Sequence, residues 1–335
     1  MAKYEYGKVP VRRKKKRTGL KIALVLLLLL AVVVAAVGVL FSRYYGLSNY
    51  ISDSDLLKEL GVEEEGAVDD SDLNLPDNKD VYNLLLVGVD RRDASWSGNS
   101  DSMILMSVNK KQKTVHMISF MRDLYADIEG YGVRKLNAAC AIGGCPLLVR
   151  TIESNYRVNI DNYAAVDFNS MIQIVDMIGG VTLDVSDAEI EVANGYITDM
   201  AASMGVDPGP HLFTSSGTVE CDGFQAVGYS RVRYVGNSDY ERTERQRTVM
   251  TRIFDKVRSM NLIEMNNFIT AVLPLVSHNI DSGTMLTLVP QLPSMMAWPM
   301  EQDRLPYDGL YTVDSEILYP DMEQTVARLQ QTIYG

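Results

Sequence analysis

Five arginines crowd the eighteen residues of segment 230–247, SRVRYVGNSDYERTERQR, in a chain whose formal net charge is −11. A guanidinium group is planar and can give two parallel hydrogen bonds, so arginine clusters are typical of sites that bind phosphate. The alternative is ordinary surface charge, neutralised by the three acidic residues within the segment. The neighbouring motifs are needed to distinguish whether this segment forms an anion site or a charged surface.

Other charged residues follow apolar runs that have the pattern of strands. Asp90 and Arg92 end the run VYNLLLVGV, Asp101 begins another, and Arg122 and Asp123 end a third. The ends of strands are where α/β folds keep their sites. Paired aspartates suit Mg²⁺, which takes hard oxygen ligands and substrate phosphates. These residues indicate a metal-assisted phosphate or pyrophosphate site, although a network of Asp–Arg bridges that ties loops together is also consistent with them.

The arginine-rich segment continues into a predicted helix. Ser238 and Glu241 form a capping pattern, so the helix is expected to begin near Ser238. One face of this helix then carries, at helical spacing, Arg242, Gln246, Val249, Met250 and Ile253. That face is polar in its first turn and apolar afterwards, which predicts that it is buried. An inward-facing guanidinium is costly without a partner, so we expect Arg242 to meet an anion.

The remaining arginines of this helix have a simpler interpretation. Arg245 follows Glu241 by four residues, the ordinary spacing of a surface ion pair on a helix. We therefore expect Arg245 and Arg247 to be surface charge.

The rest of the chain from residue 81 predicts an α/β fold with a mixed sheet. Segments 101–109 and 114–121 read as a hairpin with a lysine-rich tip, while 81–89, 163–168 and 181–185 read as further strands. Helices are expected near 145–156, near 169–178 and in FQAVGYSRV, so strands and helices alternate. Segment 186–220 lacks clear periodicity and reads as a long excursion.

The N-terminal part predicts a membrane anchor. Residues 22–41 contain no charge and would span roughly 30 Å as a helix, the thickness of a bilayer core. Residues 1–21 carry nine lysines or arginines and one acid, so they are predicted to be a cytoplasmic tail, and a nucleic-acid partner is not needed to explain them. Residues 42–80 are acidic and read as an extracellular stalk, which leaves 81–335 as an extracellular domain.

Several function classes receive no support. No Gly-Lys-Ser/Thr loop is present, and the chain has three histidines, so neither nucleotide hydrolysis nor a multi-histidine metal site is indicated. The spacing of Cys140 and Cys145 does not fit a zinc motif. A disulfide is permitted outside the membrane, but the pairing among Cys140, Cys145 and Cys221 stays open.

The ordered motifs resemble the LytR-CpsA-Psr family. They are NLLLVGVDRR, NSDSMILMSVN, SFMRDLYADIEGYGVRKLNAA, YAAVDF, IGGVTLDV and SRVRY…SDYERTERQR. The resemblance implies an α-β-α sandwich with a mixed central β-sheet and a hydrophobic tunnel, preceded by one transmembrane helix. It also implies a phosphotransferase on the outer face of the membrane of a monoderm bacterium. The expected substrate is a glycopolymer, such as teichoic acid or capsule, on a polyprenyl pyrophosphate carrier, and the expected acceptor is peptidoglycan.

Site roles follow from the same resemblance. Asp90 and Asp101 match the Mg²⁺-binding aspartates, with Mn²⁺ as a substitute ion. The positions that hold or polarise the pyrophosphate are matched by Arg92, Arg122, Arg231, Arg233, Arg242 and Gln246. The expected catalytic residues are Arg122, Asp101 and Asp239, the last of which opens the D-x-x-R-x-x-R-Q motif.

Two departures and two alternatives accompany this assignment. Asn99 stands where the family usually has arginine, and Met121 stands where it usually has proline. The first removes a positive charge near the expected phosphate.

Transfer to water would make the chain a polyprenyl-pyrophosphate hydrolase, and a basic cluster without working aspartates would make it a non-catalytic binder of anionic wall polymer or lipid.

Overall fold

The computed structural model describes residues 42, 45–60, 73–91, 98–233, 235–236 and 239–335. Its strands are β1 Asn49–Tyr50, β2 Val81–Asp90, β3 Asn99–Asn109, β4 Thr114–Phe120, β5 Tyr125–Ile128, β6 Gly132–Lys135, β7 Asn162–Asp167, β8 Val181–Val185, β9 Gly217–Cys221, β10 Ser277–His278, β11 Met300–Leu305, β12 Tyr311–Asp314 and β13 Ile317–Pro320. Its α-helices are α1 Asp53–Glu59, α2 Ala138–Tyr156, α3 Phe168–Met177, α4 Asp187–Met204, α5 Gly223–Ser230, α6 Asp239–Ser259, α7 Leu262–Val272, α8 Ser282–Leu288, α9 Leu292–Met295 and α10 Met322–Tyr334.

A mixed central sheet confirms the predicted fold class. Its strand order is β1-β10-β7-β2-β3-β4-β11, and the hairpin of β3 and β4 is antiparallel, as predicted. β2 runs parallel to β7, and β4 runs parallel to β11. The carboxyl ends of β2, β4, β7 and β11 therefore meet at one edge of the sheet, which is where the charged loops emerge.

Helices cover both faces of this sheet. On one face, alternate residues of β2, β3 and β4 pack with α2 and α10 in a buried apolar cluster that includes Leu85, Leu105, Ile118, Leu148 and Leu329. On the other face, α3, α5, α6 and α7 lie over a cavity described below. The alternation of burial along β2 follows from the two-residue period of a strand between two layers.

The folded unit begins within the segment that was predicted to be a stalk. It extends over Leu47–Gly335. Strand β1 pairs with β10, and Leu57 of α1 has no exposed surface. The physical reason is the apolar LL pair in DSDLLKE, because Leu56 approaches α2 where Gly144 leaves room for it. The predicted tail 1–21, the predicted span 22–41, and residues 43–44 and 61–72 of this segment lie outside the described residues.

In the portion that the structure does describe, every helix is too short or too polar to cross a bilayer. The transmembrane helix at 22–41 therefore stays a prediction from sequence.

The expectation of an irregular excursion over 186–220 is wrong. Residues 187–204 form α4, which begins with a capping box in which Ser186 and Glu189 bond reciprocally to each other's backbone. Its buried positions Ala193, Ile197 and Met200 have helical spacing. Small and polar residues between them weaken the apolar stripe, so the capping box was the stronger signal.

Helix α2 is interrupted between two cysteines. Gly143 and Gly144 have non-helical backbone angles, with φ of 66° at Gly144, a value that glycine adopts without strain. Cys140 lies before the break and Cys145 after it, and both are buried. The neighbouring Cys140 thiol, followed by burial, raises the pKa of Cys145 well above its usual value.

All three cysteines are free and buried in the structure. Burial, followed by the carboxylates of Asp222 and Glu220, raises the pKa of the Cys221 thiol to about 12, so little reactive thiolate exists at neutral pH. We expect the native protein to resist alkylation and the unfolded protein to take three adducts without reductant. Intact-mass measurement in denaturant, with a reduced sample as control, checks this. One adduct without reductant and three with it would instead establish a disulfide.

Candidate active site

One cavity of about 580 Å³ joins the carboxyl edge of the sheet to the apolar layer between the sheet and the helices. Its charged mouth is lined by Asp90, Asp101, Arg122, Arg231, Arg233, Arg242 and Gln246. Its interior is lined by apolar side chains from the sheet and from α3, α6 and α7, which include Ile104, Val166, Met171, Ile253, Phe254, Phe268 and Ile269. Every predicted site residue that the structure describes is at or beside this mouth. Arg92 lies outside the described residues.

Asp239 is at the centre of the arginine cluster. Its Oδ1 is 2.9 Å from Nη2 of Arg242, 3.4 Å from Nε of Arg233 and 3.9 Å from Nε of Arg122. Its Oδ2 accepts a hydrogen bond of 3.0 Å from Arg242. The sequence prediction that Arg242 points inward towards an anion is confirmed, and the anion in the structure is Asp239, three residues before it.

Arg242 is the most deeply buried of these cations, with 3% of its surface exposed. Burial lowers its pKa below the usual value, the carboxylate of Asp239 opposes this, and the charge of Arg122 adds to it. Its buried Nε has no hydrogen-bond acceptor among the described residues. Because a buried N–H without a partner is costly, this atom is suited to an additional anion in the cavity.

A second contact network holds Asp101 and Arg122 together. Nη1 of Arg122 donates a hydrogen bond of 2.8 Å to Oδ1 of Asp101, and Gln246 of α6 donates to the Asp101 backbone oxygen at 3.2 Å. Burial alone would lower the pKa of Arg122, but the carboxylates of Asp101, Asp239 and Asp123 together outweigh it, so that the pKa is raised. Arg122 therefore stays fully charged beside the cavity.

A β-bulge aims Asp101 at the cavity. Gly88 pairs with Ser102 while Val89 pairs with Ser100, so Asp101 is the extra residue between the two strand partners. Bulges redirect side chains in this way and are common beside active sites. Asp90 ends β2 at the same edge.

Arg231 is held by aromatic rings. Its guanidinium carbon is 4.3 Å from the ring centre of Phe168 and 4.9 Å from that of Tyr196. A guanidinium that is stacked between rings keeps its hydrogen-bonding edge free to point along the cavity. The aromatic partners come from α3 and α4, which sequence reasoning did not connect to the site.

The donor set at the mouth fits Mg²⁺. Asp90 and Asp101 supply two carboxylates, and no cluster of three histidine, cysteine, aspartate or glutamate residues able to hold a metal occurs within the described ranges. Two carboxylates with substrate phosphate oxygens and water is an arrangement that Mg²⁺ commonly adopts. A metal that requires a full set of protein ligands would not fit here.

The expectation that Arg245 and Arg247 are surface charge is wrong. Arg245 is 5% exposed, and its Nε donates at 2.7 Å to Glu189 while its Nη2 donates at 2.9 Å to Glu241. Arg247 is 7% exposed, and its Nη1 donates at 2.8 Å to Ser119 of β4. Both arginines fasten α6 to neighbouring elements, and neither lines the cavity.

Sequence reasoning missed Lys135 and included Asp123 only as one of the charges at strand ends. Oδ2 of Asp123 is 3.8 Å from Nε of Arg122, and Oδ1 of Asp123 is 3.1 Å from Nζ of Lys135. The signal that could have revealed Lys135 is the turn sequence EGYG, which folds β6 back along β5 and places Lys135 opposite Tyr125.

Comparison with known proteins identifies similar chains. The model of the LytR_cpsA_psr family matches residues 47–333. Biofilm regulatory protein A of Streptococcus mutans is 30% identical over 290 residues, which are 82% of this chain and 66% of that protein, so the chain spans just under two thirds of this relative. The polyisoprenyl-teichoic acid–peptidoglycan teichoic acid transferase TagU of Enterococcus faecalis is 32% identical over 269 residues, 78% of this chain and 82% of that protein.

A solved structure has the same fold. The structure of TagT bound to LI-WTA is similar with a TM-score of 0.60 and 25% identity, over 78% of this chain and 95% of that one.

Proposed function

Because the chain belongs to the LytR-CpsA-Psr family, we propose that it transfers a glycopolymer, such as a teichoic acid, from a polyprenyl pyrophosphate carrier to peptidoglycan. Relatives named as polyisoprenyl-teichoic acid–peptidoglycan teichoic acid transferases support this substrate class. The predicted anchor at 22–41 would hold the chain in the cytoplasmic membrane with the catalytic domain outside the cell.

The single observation that carries the proposal is the two-part cavity. An apolar interior suits a polyprenyl tail, and a mouth with four described arginines suits the pyrophosphate attached to that tail. A protein that bound only a soluble anion would not need the apolar part, and one that bound only a lipid tail would not need the arginines.

The mechanism follows from the charges at the mouth. A pyrophosphate resists nucleophilic attack while its charge is exposed, and Arg122, Arg231 and Arg242 are placed to neutralise it. The same guanidiniums stabilise the charge that develops on the leaving lipid phosphate. A sugar hydroxyl of peptidoglycan attacks the phosphorus nearer the glycan, and a phosphodiester forms as the bond to the lipid phosphate breaks. Asp90, Asp101 and Asp239 are the carboxylates at hand to take the proton of that hydroxyl.

We further propose Mg²⁺ as the cofactor, with Asp90 and Asp101 as its protein ligands and Mn²⁺ as a substitute. When bound, the ion supplies positive charge that neutralises the phosphates and stabilises the leaving group. Asp239 is not assigned to the metal, because its carboxylate already contacts three arginines.

Asp90→Asn and Asp101→Asn are expected to raise the Mg²⁺ concentration needed for half-maximal transfer by about tenfold or more, because each removes one ligand charge. Calorimetric titration of Mg²⁺ into the protein with inorganic pyrophosphate gives a readout that does not depend on turnover. Asp255→Asn is the matched control, since that carboxylate is 45% exposed and pairs with Arg258. Unchanged Mg²⁺ affinity in both site variants would contradict the ligand assignment.

The transfer itself is tested with the full chain in detergent micelles. The chain is incubated with Mg²⁺, a defined lipid-pyrophosphate glycan and peptidoglycan oligomers, and products are identified by mass. A glycan–peptidoglycan phosphodiester is the expected product. Release of glycan phosphate without joined product would identify a hydrolase, and tight binding without turnover would identify a binder.

A further inference from the structure

Two small hairpins lie side by side next to Arg122. One consists of β5 and β6, and the other consists of β12 and β13. A single parallel bridge between Leu124 and Leu318 joins them, and the Leu318 backbone N–H donates at 2.8 Å to the oxygen of Asp123. The two hairpins therefore present a common surface that starts at the residue following Arg122.

The two faces of this surface differ sharply. Leu124, Ala126 and Ile128 have no exposed area and Leu318 is 8% exposed, so one face packs on the main core. The opposite face, here called the hairpin face, carries Tyr125, Asp127, Val133, Lys135 and Tyr319, as the two-residue period and the pairing of Tyr125 with Lys135 require.

The hairpin face combines aromatic and hydrogen-bonding groups. The rings of Tyr125 and Tyr319 lie 5.3 Å apart at 41° to each other, and both are partly exposed. Val133 is 50% exposed. Nζ of Lys135 bridges Asp123 at 3.1 Å and Glu316 at 3.0 Å. Side chains of this kind suit a sugar, because an aromatic ring packs against the C–H face of a pyranose while charged groups bond its hydroxyls.

The position of the hairpin face relative to the cavity indicates which of the two substrates supplies this sugar. Arg122 lines the cavity, whereas no member of the hairpin face does. Asp123 links the cavity to the hairpin face. Its Oδ2 is 3.8 Å from Nε of Arg122, and its Oδ1 is 3.1 Å from Nζ of Lys135. The hairpin face therefore adjoins the charged mouth of the cavity and not its apolar interior.

Phosphoryl transfer places the attacking and leaving oxygens roughly in line. The leaving lipid phosphate belongs to the tail in the apolar interior, so the attacking hydroxyl must come from the opposite side of the arginines. We propose that the hairpin face is the acceptor subsite and binds a glycan strand of peptidoglycan through Tyr125 and Tyr319. This inference rests on the proposed transfer reaction and adds to it the place where the second substrate binds.

The test measures the acceptor and the donor separately in the full chain. Tyr125→Ala combined with Tyr319→Ala is expected to raise the KM for peptidoglycan oligomer about tenfold or more, because two stacking surfaces are lost. The thermal stabilisation given by a short-chain lipid-pyrophosphate glycan should not change, which also establishes that the variant is folded. Tyr125→Phe with Tyr319→Phe keeps both rings, so its acceptor KM should lie within about twofold of the wild-type value.

Tyr50→Ala is the matched control. Tyr50 is 42% exposed and forms an aromatic pair with His278, but it lies on β1 at the far edge of the central sheet. The Tyr50→Ala variant should have an unchanged KM for both substrates.

Each outcome has a separate meaning. An unchanged acceptor KM in the double alanine variant would overturn the acceptor subsite while leaving the transfer reaction intact. A raised KM for the donor alone would also overturn it, because the hairpin face would then serve the donor glycan. A wild-type chain that neither transfers nor binds the donor would overturn the proposed function itself.

Discussion

Replacing Arg242 by alanine is expected to lower kcat for glycopolymer transfer by about 100-fold or more, the usual effect of removing one donor aimed at developing charge. Arg242 is 3% exposed, contacts both oxygens of Asp239 and lines the mouth of the cavity. The variant loses a guanidinium that is fixed before substrate arrives. The rate of phosphodiester formation, followed by mass at saturating substrate, is the measurement.

In Arg242→Ala, the free energy of unfolding should fall by less than the activation free energy for transfer rises. Asp239 keeps Arg233 and Arg122 nearby, so its carboxylate is not left without positive charge. Arg252→Ala on the same helix is the matched control, since Arg252 is exposed. Arg122→Ala and Arg231→Ala should lower kcat in the same direction. Transfer by Arg242→Ala at the wild-type rate would show that this guanidinium does not act on the pyrophosphate.

Replacing Arg245 by alanine is expected to reduce stability more than activity. The free energy of unfolding should fall by about 3–5 kcal/mol, because breaking a buried ion pair leaves an uncompensated charge. Glu189 is 8% exposed, and its carboxylate accepts from Arg245 at 2.7 Å. Arg245 also donates to the backbone oxygen of Val232 at 3.3 Å. It thereby connects α6, the start of α4 and the loop that carries Arg231 and Arg233.

Urea unfolding of the wild type and the variant measures this loss. Glu241→Ala is the control, because Glu241 is the more exposed partner of Arg245 and its removal should cost at most about 1 kcal/mol. Unfolding free energies of Arg245→Ala within about 1 kcal/mol of the wild type would mean that Arg245 is surface charge after all. Comparison of Arg242→Ala with Arg245→Ala therefore distinguishes the roles of two arginines that are three positions apart on one helix.

Glu189 shows why this contact depends on pH. Burial acts to raise its pKa, but hydrogen bonds from Ser186 and the guanidinium of Arg245 outweigh burial, and its pKa is lowered in the folded state. A lowered pKa means that the stabilisation is present above the ordinary carboxyl range and is lost as the pH falls through the folded-state value.

The sequence by itself determined the fold class, the hairpin of β3 and β4 and the inward direction of Arg242. Those conclusions depend on patterns that are local in the chain, namely the two-residue period of strands and the 3.6-residue period of helices. Clusters of charge at strand ends indicated the site for the same reason. Joined to the family resemblance, they also gave the substrate class.

Only the tertiary structure decided what surrounds each charged group. Helical spacing identifies one buried face of α6, but this helix contacts both α4 and strand β4 of the central sheet, so more than one of its faces is covered. Arg245 and Arg247 reach Glu189 and Ser119, which are 56 and 128 residues away in the chain. A contact of that separation leaves no trace in local periodicity. The bulge that aims Asp101 and the joining of two hairpins beside Arg122 are decided in the same way, by pairing between strands that the chain brings together only when it folds.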